Sequence, residues 1–187
     1  MDIEYLNCFE RKLQLELLKL CTTYHMLNGV LLETEDINDH WNFLAPLYAT
    51  DAVREFEDYP VVSMAWAGYL GMAIAQGWDT CWSAYSKKEY KEYYGSKGFD
   101  NMDEHIIQDI IGLPLDSEDA RSIENMLRRC GETTISMIRH EHFEEQSPMA
   151  FHAFARAIKV MFRIGAALQL KRLGYNFQRV DLPESNA

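Results

Sequence analysis

The stretch "PVVSMAWAGYLGMAIAQGW", from Pro60 to Trp78, carries no charged side chain. A helix apolar on every side either crosses a membrane or forms the centre of a bundle. Three features favour the bundle. The uncharged run is at the short end for a span, Gly and Ala outnumber Leu and Ile, and Asp58 and Asp79 flank it where basic residues would be expected. Pro60 suits a first helical turn, and the helix is predicted to continue to about Tyr85.

Around this core helix the chain reads as helical almost throughout. Ile3, Leu6, Leu13, Leu17, Leu20, Tyr24, Leu27 and Leu31 recur at spacings of three and four, with Glu10 missing a beat. This predicts an amphipathic helix ending between Gly29 and Leu32. The segment from Glu33 to Pro60, interrupted by Pro46, predicts short helices and turns, one of them capped by Asp51. Ser86 to Glu89 reads as a capping box for a tyrosine-rich helix ending at Gly95. "DNMDEHIIQDIIG" predicts another short helix, and Asp116 or Ser117 caps the next. Ser147-Pro148 are N-cap and first residue of a final helix reaching Leu173 and stopped by Gly174. No strand periodicity, hairpin signal or repeat is visible. The expectation is an all-α, single-domain multi-helix bundle over residues 1–180, with a central Gly/Ala-rich apolar helix and mostly antiparallel neighbours. Residues 181–187 are expected to be a disordered tail.

The chain has 187 residues, enough to bury a core without disulfide or metal staples. Cys8, Cys21, Cys81 and Cys130 are scattered without paired spacing. The N-terminal segment is acidic where a secretory signal would be basic, and together these features predict a reducing, cytoplasmic setting. The net charge of −11 argues against nucleic acid or anionic membranes as partners. Residues 1–120 hold 8 basic and 22 acidic side chains, whereas residues 121–187 hold 10 and 7. This asymmetry suggests that one half docks on the other, or on a second subunit.

Candidate sites follow from three stretches. Gly68, Gly71 and Gly77 would each cost a helix roughly 1 kcal/mol relative to Ala, so they need a reason. Close backbone packing is one; a ligand cleft lined by Trp66, Tyr69, Trp78 and Trp82 is the other, with Trp78, Trp82 and Tyr85 sharing a helical face. In the last helix, Phe151, Phe154, Ile158, Met161, Gly165 and Leu168 form an apolar seam. Its remaining face carries Arg156, Lys159 and Arg163, a basic stripe that pairs with the acidic N-terminal half, is solvated, or receives an anionic ligand or acidic partner. The third stretch is "RHEHFEEQSP", Arg139 to Pro148, where His140 and Glu144 would share a helical face and are weak metal-ligand candidates. None of the six histidines has a glutamate three residues before it, and no H-E-x-x-H occurs. The cluster reads better as a junction of two helices, with histidines near one C-terminus and acids near the next N-terminus. Cys21 and His25 have a possible ligand spacing but no third partner in sequence, and "DINDHW" places Trp41 where a calcium loop needs Gly.

No catalytic triad, P-loop or dinucleotide fingerprint is present, and no cofactor is expected. Two readings remain. One is a non-enzymatic helical interaction protein that associates with itself or another protein. The other is a helical-bundle ligand or metal binder, or an enzyme, with an aromatic-lined cleft.

Overall fold

A computed structural model of the chain describes residues 2–176. The tail expected at 181–187, like the last residues of the 1–180 domain, lies outside the described residues. Among these the chain is all-helical, with no strand: α1 (Ile3–Thr23), α2 (Glu35–Glu55), α3 (Pro60–Tyr85), α4 (Lys91–Tyr94), a 3-10 turn (Phe99–Asn101), α5 (Met102–His105), a π-helical turn (Ile106–Ile111), α6 (Glu118–His140) and α7 (Pro148–Arg172). None of these helices is long and apolar enough to cross a membrane. They pack as one multi-helix bundle.

The charge-free helix α3 is the centre of that bundle. From Ser63 to Ala75 every residue is buried, and its most extensive contact is with α7. The glycines explain how two such helices approach. A Cβ on Gly165 would fall well inside contact distance of the Gly68 carbonyl oxygen. One on Gly71 would strike the Phe162 carbonyl oxygen in the same way. Backbone touches backbone at this crossing, so the small residues serve close packing.

Most packed pairs are antiparallel, as expected, but the central pair is not. Gln76 of α3 accepts a hydrogen bond from Gln169 of α7 at 2.7 Å, and Tyr175, just past α7, donates to Asp79. At the other end Pro60 and Ala150, near the two N-termini, line one cleft. Helices α3 and α7 therefore run parallel. The reason is parity. Helix α6 packs antiparallel on α7, with Thr134 against Met161 and Asp119 against Arg172. It is also antiparallel to α3, where Gly131 lies against Val61 and Gly68 against Leu127. Two reversals restore the direction, and the same argument makes α1 parallel to α7.

Several local expectations are corrected. Helix α1 stops at Thr23, earlier than its apolar period suggests. Thr22 turns the chain there: its hydroxyl donates to the Leu18 carbonyl and accepts from the Gly29 N–H. His25 takes a left-handed φ of 59°, Leu27 is tucked into the core, and Tyr24 is left exposed. The segment read as short helices is a single helix, α2, which runs through Pro46. Its cap is Thr34, whose side chain accepts from Ile37 N–H at 3.2 Å, and Asp51 lies inside the helix. Burial of Ile37, Trp41, Leu44, Tyr48 and Ala52 along one face outweighs the one backbone bond that Pro46 removes.

Helix α3 does reach Tyr85, but Cys81 has extended, non-helical angles (φ −166°, ψ 86°) that kink it. Ser86 closes α3 instead of opening a capping box; Glu92 takes that part, accepting from Glu89 N–H at 2.7 Å. Ser117 and Ser147 cap α6 and α7 through Ala120 and Ala150 N–H, as the sequence indicates.

Candidate functional site

The basic stripe of α7 is built into the fold. Glu10, the missed beat in the apolar stripe of α1, is buried and faces α7. Arg156 donates to one of its carboxylate oxygens, and Lys159 Nζ lies 3.1 Å from the other. Burial pushes the Glu10 carboxyl up, but the Arg156 hydrogen bond and the Lys159 charge outweigh it, holding the group below its ordinary 4.5. Further along, Arg163 donates to Gln14 at 2.5 Å and to Glu33 at 2.6 Å through Nη2. The stripe thus pairs with the acidic N-terminal half. Lys159 and Arg163 also border a cleft of about 280 Å³ with Asn38, Asp39 and Asn42.

The aromatic candidates lie in separate packing contacts. Trp66 stacks edge-on against Phe99, with ring centroids 4.9 Å apart, and Tyr69 is buried. Trp78 donates to Asp36 at 3.0 Å and packs on Tyr175, whereas Trp82 packs on His40. The kink at Cys81 breaks the shared face of Trp78, Trp82 and Tyr85. It folds Tyr85 back over Gly77, where any Cβ would overlap its ring.

The stretch "RHEHFEEQSP" spans the end of α6, the turn from Glu141 to Ser147 and the first residue of α7. Helix α6 ends at His140, so Glu144 lies beyond it and the shared helical face does not form. His142 and Gln146 take left-handed angles, φ 51° and 58°. Glu141 accepts from the Tyr5 hydroxyl, and Phe143 packs edge-on against Tyr5 and Phe9. Among the described residues no three His, Cys, Asp or Glu side chains are grouped to hold a metal. Cys21 meets Cys130, with sulfurs 3.7 Å apart, while His25 has left the helix. The six residues of "DINDHW" are all helical.

What this turn does form is the wall of a cleft of about 660 Å³. Phe56, Pro60, Ile135, Ile138, Phe143 and Ala150 supply apolar lining; Glu57, Arg139, His142, Glu145 and Gln146 supply a polar rim.

A second surface was hidden by Pro46. Helix α2 has two apolar faces. One is buried; the other, opposite, carries Phe43 (59% exposed), Leu47 (45%) and Val53 (45%), with Pro46 and Thr50 exposed between them. On a helix these positions lie within one outward arc. Reading Pro46 as a break divided this face into unrelated pieces. The spacing of Phe43, Pro46, Leu47, Thr50 and Val53, at steps of three, one, three and three, was the available signal.

Comparison with known proteins adds no relative: no family model, curated protein or solved structure matches the chain.

Proposed function

We propose that this chain is a non-enzymatic helical interaction protein, acting as an assembled module, whose contact surface is the outer face of α2. The observation that carries this reading is the exposed run of Phe43, Pro46, Leu47 and Val53 on one side of a well-packed helix. Contiguous exposed apolar side chains are a feature of binding surfaces, whereas scattered ones are ordinary. The opposite side of α2 is held by Trp41 against Phe162 and by Tyr48, whose hydroxyl donates to the Ser63 carbonyl, so the outer face is rigidly presented. The scattered spacing of the four cysteines in sequence supports a reducing, cytoplasmic setting.

Native mass spectrometry and light scattering of the wild type and of Phe43→Asp/Leu47→Asp test the proposal. The wild type should appear as an assembly, with itself or with a co-purifying protein, and the variant as a single folded chain. An unassociated wild type would count against it.

A second reading is favoured by the cleft at the α6–α7 turn, whose volume falls in the range of small-ligand pockets. Under it, the protein as purified should carry a small-molecule adduct that Ile138→Glu removes. An adduct retained by that variant would exclude this cleft as its site.

A further inference from the structure

We infer that the partner on α2 is a second copy of this chain, with the two α2 helices packed antiparallel about a two-fold axis centred between Pro46 and Leu47. This rests on α2 being the contact surface and adds the identity of the partner and the register.

A two-fold interface must be complementary to itself: if residue i meets residue j of the other copy, j must also meet i. The central part of the outer face of α2 has that property about one midpoint; Val53, whose counterpart His40 is buried, lies at its margin. Pro46 and Leu47 flank it, Phe43 and Thr50 are equally distant from it, and so are Asp39 and Arg54. Antiparallel pairing therefore places Phe43 beside Thr50 of the other copy and Asp39 beside its Arg54, each twice. The exposed positions between Asp39 and Arg54 are uncharged, so the apolar strip closes with an opposite-charge pair at each end.

Both charges are available for this. Among the described residues neither Asp39 nor Arg54 takes part in an ion pair within the chain, although Arg156, Lys159 and Arg163 all do. Parallel pairing in register would instead set Asp39 against Asp39 and Arg54 against Arg54. Asp36, which accepts a hydrogen bond from Trp78 of its own chain, and Glu57 are the next exposed charges outward; they face each other with like charge, roughly 16 Å from the midpoint at 1.5 Å per residue. At that distance, crossing helices diverge. A stable interface of standard size buries about 800 Å² on each partner. One helix face supplies less, so the dimer should be concentration-dependent, dissociating in roughly the micromolar range.

The test is sedimentation across a concentration series for wild type, Asp39→Arg, Arg54→Asp, the double reversal Asp39→Arg/Arg54→Asp, and Phe43→Asp/Leu47→Asp. The wild type should dimerise. Each single reversal should weaken the dimer about tenfold, the double reversal should restore it to within about threefold, and the apolar variant should be monomeric. If the apolar variant is monomeric but the charge reversals act independently or not at all, α2 remains the contact surface and the two-fold register is overturned. If the wild type binds only a different protein, the second copy is overturned with the surface intact. A wild type that stays monomeric and binds nothing overturns both.

Discussion

Helix α7 is held on two sides by different physics. Toward α3 it is fixed by shape: Gly165 lies on the backbone of Gly68, and Phe162 on that of Gly71. Toward α1 and the connection that follows it, it is fixed by charge: Arg156 and Lys159 close on Glu10 of α1, and Arg163 on Gln14 of α1 and on Glu33 beyond it. A steric contact between backbones has nowhere to relax, because moving either atom moves a helix. A charged contact near the surface can admit water and ions, so it weakens gradually.

That difference sets the order of effects. Gly165→Ala should be the most damaging small substitution in the chain, costing about 3 kcal/mol or more, since overpacking here separates α3 from α7. Denaturant unfolding would show it as loss of the cooperative transition or a large fall in midpoint. A midpoint near wild type would mean that the helices are not in backbone contact.

Glu10→Gln should cost about 2 kcal/mol at pH 7, because it leaves two cations without their shared carboxylate at a partly buried site. The folded protein holds Glu10 below its ordinary 4.5, so its contribution is present above that pH and is lost as the pH falls through the depressed value. Wild type and Glu10→Gln should therefore converge in stability as the pH falls below 4.5 and through the depressed value. Unfolding curves across pH 2.5–7 would show this, and a constant gap would remove the assigned role.

His40 behaves similarly on a different helix. Burial between Phe43 and Trp82 holds its imidazole below the usual range, and among the described residues its Nε2 has no hydrogen-bond partner. Its neutral form suits the fold, so stability is full above the ordinary value of 6.5 and declines as pH falls through the lowered one. His40→Phe should flatten stability against pH below about 6.5; an unchanged slope would show that other groups produce it.

The smallest effect sharpens the comparison. Gly68→Ala should cost about 1 kcal/mol or less, although Gly68 touches Gly165. Its Cβ would meet the tip of the Leu127 side chain, at 2.6 Å, which can rotate away, and Ala favours the helix by roughly 1 kcal/mol. Two glycines in contact should thus differ by several-fold in tolerance, measurable as the gap between their two unfolding midpoints.

Much of the fold was legible locally. The charge-free run of α3, the caps at Ser117 and Ser147 and the stop at Gly174 all depend on residues close in sequence. Pro46 was misleading because its cost is local, whereas the burial that offsets it comes from α3 and α7. The surface candidates were harder still. The stripe at Arg156, Lys159 and Arg163 was visible as a pattern, but the anions it meets are some 130 to 150 residues away. Glu10 looked like an interruption of α1 because hydrophobic periodicity has no term for a buried charge with two partners.

By itself, then, the sequence determined the helical class, the uncharged helix that must be central and most helix ends, since hydrophobic period, capping and glycine stops act within a turn or two of chain. Only the tertiary structure decided that α3 and α7 run parallel, that Glu10 anchors the basic stripe, that Cys81 breaks a shared aromatic face, and that α2 is continuous with an exposed outer side. Each of those depends on which distant surfaces meet, and the order of meeting follows from packing the whole chain at once.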